Sequence, residues 1–177
     1  MKRTTKLIAA LALFSLLSSC KVYFNEATRQ RIQANNTSDI ERVQFYNDRE
    51  IEIVYKTTST DESISGGKVK FQDGYYYYTI KFPKKTPAIA EHLDSGRIKV
   101  FFESGEDRYL VFGKSDEDSP TSLYQLYGNS RDDGFYVNFE GKSMKVVRGS
   151  TAYLMMKKNV DVNVEEEKRR VKGVKVD

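Results

Sequence analysis

From Val43 onward, apolar and polar positions alternate with a period of two, in short runs rich in Val, Ile, Phe and Tyr separated by polar turns. Successive side chains of a strand point to opposite faces, so this period predicts strands. The runs place them at about 43–47, 51–57, 67–72, 75–82, 97–103, 108–113, 123–127, 135–140, 142–148 and 151–158. Asp73-Gly74 and Glu140-Gly141 suit two-residue hairpin turns, and Ser104-Gly105-Glu106-Asp107 a longer one. Strands joined this tightly run antiparallel, and an all-β meander of this length forms an antiparallel barrel or a two-sheet sandwich. Tyr76, Tyr78, Ile80 and Phe82 share the face expected to be core, because Ile80 and Phe82 cannot both be spared from burial. The same argument turns Ile98, Val100, Phe102, Phe135, Val137 and Phe139 inward. Tyr75, Tyr77, Phe101 and Tyr136 are left facing out.

Three stretches break the pattern. Thr86 to Leu93, with Thr at a cap position, Pro87 in the first turn and Gly96 as a stop, predicts a short helical lid over one end. Residues 21–42 predict a short helix capped by Asn25, running through Glu26–Ala34 and ended by Asn35-Asn36. Ser38 and Glu41 then fit a capping box for one more turn. The apolar stripe there is thin, so the stretch is a marginal helix or a tether. The tail 159–177 lacks aromatics and sets Glu165-Glu166-Glu167 beside Lys168-Arg169-Arg170. Val160, Val162 and Val164 can extend the last strand, and the mixed charge beyond them predicts a flexible segment.

The first residues read as an address. Lys2, Arg3 and Lys6 precede an apolar run from Leu7 to Leu17, interrupted by Ser15. Eleven helical residues cover roughly 16 Å, about half of a bilayer's hydrocarbon core, which suits a secretory signal and not a stable span. Leu17-Ser18-Ser19-Cys20 resembles the bacterial lipobox, a large aliphatic residue and two small ones before Cys. That resemblance implies a signal peptide over 1–19, and Cys20 acylated as the first mature residue. Several acyl chains, at about 0.8 kcal/mol per buried CH₂, hold a protein on a membrane durably. Lys21 stands where an aspartate would direct retention at the inner membrane, and no acidic cluster follows Cys20. The resemblance therefore favours an outer-membrane anchor facing the periplasm. The organisation expected is a signal peptide at 1–19, lipidated Cys and tether or helix at 20–42, a β domain at 43–158 and a tail at 159–177.

Composition changes this picture mainly by exclusion. The chain has 177 residues and a formal charge of +4. Three of its 29 Lys and Arg lie in the first six residues, so beyond residue 19 it sets 26 basic against 25 acidic side chains. Near neutrality argues against nucleic acid as a partner. One Cys and one His leave no disulfide framework and no Cys/His zinc site. If Cys20 carries lipid, it is unavailable as a nucleophile, and any Ser–His site must use His92, which no G-x-S-x-G elbow accompanies. Ser65-Gly66-Gly67-Lys68 matches S-x-x-K without its companion motifs and reads as a turn opening a strand. Glu103, Glu106, Asp107, Asp116, Glu117, Asp118, Asp132 and Asp133 could supply a glycosidase carboxylate pair. They fall in turns, where acids are ordinarily just solvated, and neither acidic turn follows a calcium-loop pattern. The chain is thus expected to need no cofactor beyond the covalent lipid on Cys20, and no metal.

Binding features are stronger. If adjacent, Tyr75, Tyr77, Phe101 and Tyr136 form an aromatic patch for a protein or a sugar ring, or else they fill a smaller second core beneath the N-terminal segment or tail. Lys84-Lys85 and Lys168-Arg169-Arg170 suit anionic headgroups or cell wall, or are simply solvated. The segments Val43–Ile51, Lys84-Lys85-Thr86-Pro87, Ile98–Glu103 and Tyr153-Leu154 together resemble an uncharacterised β-rich envelope lipoprotein family of Bacteroidota-type bacteria. The resemblance spans about residues 20–158 and implies an envelope lipoprotein, in some such families an accessory of a secretion machine. It carries over no functional residue. The function expected is a non-enzymatic, lipid-anchored domain docking a periplasmic or outer-membrane protein through an edge strand or the outward aromatics. A small-ligand or glycan binder is the alternative, and a hydrolase the weakest third.

Overall fold

The computed structural model describes residues 21–35, 37–59, 67–94 and 96–158. The expected signal peptide at 1–19, Cys20, Ser65, Gly66 and the tail from residue 159 lie outside the described residues. In chain order the elements are β1 (Lys21–Tyr23), α1 (Glu26–Asn35), a 3-10 turn (Thr37–Arg42), β2 (Phe45–Asn47), β3 (Ile51–Thr57), β4 (Lys68–Gln72) and β5 (Tyr75–Phe82). They continue with β6 (Pro87–His92), β7 (Arg97–Phe101), β8 (Tyr109–Lys114), β9 (Tyr124–Leu126), β10 (Asn129–Arg131), β11 (Gly134–Phe139), β12 (Lys142–Arg148) and β13 (Leu154–Lys157).

Two antiparallel sheets result, one of seven strands in the order β1-β13-β2-β6-β7-β8-β9 and one of six in the order β10-β11-β12-β3-β5-β4. The chain passes between them repeatedly, and inner residues of both share one core. Ile51, Ile53, Val137, Phe139 and Met144 from the second sheet are buried with Phe45, Ile98, Val100, Leu110, Phe112 and Leu154 from the first. Phe82 of β5 meets Phe102, just beyond β7, with ring centroids 5.1 Å apart. The architecture is a sandwich, and the barrel alternative falls. The first sheet does curl, so that β9 reaches β13 through the single bridge Gln125–Tyr153 and the Leu126 N–H to Ala152 O bond. Among the described residues no continuous ladder closes it.

The face assignments hold. Tyr78, Ile80, Phe82, Ile98, Val100, Val137 and Phe139 are buried, and Tyr76, Phe102 and Phe135 pack against the core while partly exposed. Both dipeptide turns join hairpins with positive φ at both residues, Asp73 at 53° and Gly74 at 79°, Glu140 at 50° and Gly141 at 67°. That is the turn whose twist matches paired strands.

The helical lid is corrected to a strand. Ala88 and Ala90 point into the core while Ile89 and Glu91 face out, His92 at the strand's end is exposed opposite Ile98, and Pro87–His92 lies between β2 and β7. Inward positions filled by alanine hide a period of two, and Pro87 occupies the first strand position, where proline is tolerated. Strands β1 and β10 are additions, each three residues long and held by main-chain pairing. Helix α1 forms where expected, with Asn25 Oδ1 accepting the Thr28 N–H at 2.9 Å. Phe24, Ile32, Ile40 and Val43 all reach the core, so the segment from Lys21 is built into the sandwich.

Crossings between the sheets are held by polar side chains and by glycines in close approach to the backbone, Gly128 and Gly149. Gly149, between β12 and β13, has φ +79°, and a Cβ there would stand 2.3 Å from Glu50 O. Gly149→Ala is expected to cost about 2 kcal/mol or more, read as a lower urea midpoint with an unchanged slope.

Candidate aromatic–lysine groove

Alternation along the second sheet sends one set of side chains to its outer face. The register aligns Tyr136, Lys145, Val54, Thr79 and Lys68 across five strands. The neighbouring row runs Lys56, Tyr77, Lys70. Val54 and Thr79 are short, so the sheet sinks between the longer side chains around them. The result is a groove of about 720 Å³ walled by Tyr77, Tyr136, Lys56, Lys70 and Lys145, with Val54 and Thr79 among the residues lining it.

The walls are electrostatically ordered. Lys56 Nζ stands 3.8 Å from the Tyr75 ring centroid and 5.7 Å from that of Tyr77. Arg131 lies 4.2 Å from the Tyr136 ring. The Tyr136 hydroxyl donates to Asp133 Oδ2 at 2.5 Å, and Lys145 Nζ stands 3.4 Å from the same oxygen. The Tyr136 hydrogen bond, aided by the Lys145 charge, holds the Asp133 carboxyl below its usual range, and the same bond pushes the Tyr136 phenol up. Asp133 is the one acid lining the groove beside three lysines. The groove is therefore net cationic with aromatic walls, a chemistry that binds anions or acidic surfaces.

Of the four outward aromatics, the structure places Tyr75, Tyr77 and Tyr136 on this face. Phe101 sits on the other sheet, in a row with Ile89 and Tyr109, its ring 5.4 Å from that of Tyr109. Alternation separates inside from outside but does not say which sheet a strand joins. The lysines of the groove went unselected because nothing distinguishes them among 29 basic residues until strand order is known.

The remaining candidates are scattered. His92 ends β6 on the surface. Glu103, Glu106 and Asp107 lie between β7 and β8, with Glu103 3.7 Å from Arg108, and Asp116, Glu117 and Asp118 lie between β8 and β9. Among the described residues no three His, Cys, Asp or Glu side chains gather where a metal ion could sit. Lys85 and Lys157 both stand near Lys21. Burial foremost, then those two charges, lower the Lys21 ammonium's pKa.

One buried cluster carried no sequence signal. Glu26 Oε2 accepts from Tyr124 Oη and Arg29 Nε, both at 2.7 Å, while Oε1 accepts from Arg29 and Gln30. Glu26 and Arg29 are nearly buried and Tyr124 wholly so. Burial pushes the Glu26 carboxyl up, but hydrogen bonds from Arg29, Tyr124 and Gln30 outweigh it and hold the pKa at about 2. Burial, then the bond to Glu26, push the Tyr124 phenol upward. A carboxylate held so firmly ionised and fully bonded pins α1 to β9 and has no proton to exchange near neutrality. Compared with protein-family models, with curated proteins and with solved structures, the chain matches none.

Proposed function

We propose that this is a non-enzymatic domain of the bacterial cell envelope, lipid-anchored through Cys20 in the outer membrane facing the periplasm. It docks an envelope protein through the outer face of its second sheet, and a secretion or envelope assembly is a fitting setting. The observation that carries the docking is the groove, in which Tyr77, Tyr136 and three lysines surround a low floor of Val54 and Thr79. The anchor is supported by the lipobox and by the placement of β1. Lys21 pairs with Lys157 at the end of the first sheet's edge strand, so a lipid on the preceding residue hangs from that end. Lys21, Lys85 and Lys157 gather there, where anionic headgroups would meet them. Cys20→Ser should abolish palmitate labelling and release the protein from the membrane fraction.

A photoreactive residue replacing Thr79 tests the docking, with the same residue replacing Lys99 on the other sheet as control. Crosslinking in whole cells to one protein from position 79 and not from 99 is the expected result. Replacing Lys56, Lys70 and Lys145 together by Gln should weaken the purified pair about tenfold or more at low salt, and less at high salt. The volume and tyrosine walls also favour a second reading, a small anionic ligand or glycan. That reading gains if position 79 captures no protein while cell-wall glycan fragments shift the Tyr77 and Tyr136 resonances.

A further inference from the structure

The outer edge of β4 carries features that the groove does not account for. Two-residue hairpin geometry makes Gln72 and Tyr75 a hydrogen-bonded pair, so Lys70–Tyr77 and Lys68–Thr79 are hydrogen-bonded too. Val69 and Phe71 alternate with them, so their N–H and C=O groups point away from β5. Among the described residues no strand pairs with that edge. Val69 and Phe71 lie opposite Tyr78 and Tyr76, on the side of β5 that faces the core. They carry that apolar face past the edge of the sandwich, 55 % and 62 % exposed. Lys68 and Lys70 stand on the opposite face, exposed.

We propose that β4 receives an extended segment of a partner protein in which acidic and apolar residues alternate. This deepens the docking reading and rests on it. Main-chain bonds form to Val69 and Phe71, the partner's apolar side chains cover those two and Tyr76, and its acids face Lys68 and Lys70. Residues directly opposite across paired strands share a face, which gives the required pattern its period of two. Charge disfavours a second copy of this chain. Any antiparallel β4–β4 register that pairs both free positions sets Lys70 opposite Lys70.

The probe is a capped heptapeptide of alternating glutamate and valine, titrated at neutral pH into the chain from residue 20 to 177. Expected is slower exchange of the Val69 and Phe71 amides with peptide bound, and weaker binding of a lysine–valine peptide. Val69→Pro is the discriminating variant. It deletes an outward N–H without removing a bond to β5, so it should weaken binding about tenfold or more while leaving the unfolding midpoint unchanged. Unprotected Val69 and Phe71 amides at millimolar peptide, equal binding of the lysine–valine peptide, or unaltered binding by Val69→Pro would overturn the proposal. So would a dimer in sedimentation that Val69→Pro dissolves, which assigns the edge to a second copy. Crosslinking from position 79 that survives Val69→Pro but fails in the groove-lysine variant removes the edge proposal alone. Absence of any protein crosslink from position 79 in the otherwise unchanged chain removes the docking reading itself.

Discussion

Glu26→Ala is expected to lower the unfolding free energy by about 3–5 kcal/mol, because it leaves the Arg29 guanidinium buried without its counter-ion. The Tyr124 hydroxyl, wholly buried, loses its acceptor in the same step. For a domain of this size the loss is a large fraction of the total stability, and Tm should fall by about 10–20 °C. With no Trp in the chain, tyrosine fluorescence or far-ultraviolet dichroism in urea reads it. Replacing the pair together, Glu26→Leu with Arg29→Met, should cost less than Glu26→Ala alone, since no charge is then stranded. If Glu26→Ala and the double variant unfold alike, the cluster is not the closed ion pair described above.

The same carboxyl makes acid sensitivity specific. Its pKa falls from 4.5 to about 2 on folding, so the folded state favours the ionised form. The resulting stabilisation is complete above the unfolded value and is lost as pH falls from about 4.5 to 2. That difference corresponds to something on the order of 3 kcal/mol. Other acids titrate in the same window, so the measurement is the wild type against Glu26→Gln at each pH. The gap between the two should close toward pH 2. A gap that stays constant with pH would show that the glutamate acts by shape and not by charge.

What could be read from the chain and what could not divide along a physical line. Large apolar residues at every second position announce β3, β5, β7, β8, β11 and β12, since burial of one face is what those strands are for. Strand β6 escaped because alanine fills its inward positions, and β1 and β10 because three-residue strands exist by pairing to neighbours distant in sequence. Choosing sandwich over barrel required the strand order, and that order is set by where the chain crosses between sheets. Tyr75, Tyr77 and Tyr136 were found because facing is local. Phe101, which stands on the other sheet, is not separable from them in the sequence because sheet membership is not local. Glu26 and Tyr124 lie 98 residues apart, and neither departs from what a helix first turn or a strand ordinarily carries.

Asn47→Ala is expected to cost about 3–4 kcal/mol, more than removal of most apolar side chains of its size. The reason lies in where the chain changes sheets. Between β2 and β3 it leaves the first sheet, and between β5 and β6 it returns, and Asn47 is the buried side chain that ties the two crossings together. Its Nδ2 donates to Arg49 O at 2.7 Å and to Pro83 O at 2.8 Å, with Phe82 O at 3.2 Å, while Oδ1 accepts the Thr86 N–H at 2.8 Å. Its own carbonyl accepts the Lys85 N–H. Truncation therefore strands main-chain groups on both crossings, and water cannot readily replace a side chain with no exposed surface. Asp48 offers a contrast next door. Its Oδ1 accepts the Tyr153 N–H at 2.7 Å, but its partner Arg49 is half exposed, so Asp48→Asn should cost no more than about 1 kcal/mol. Because β6 is entered directly from the turn that Asn47 holds, amide exchange in Asn47→Ala should quicken first at Thr86 and along β6, before the β7–β8 ladder. Uniform acceleration across both sheets would mean that the residue supports global stability without fixing the crossing.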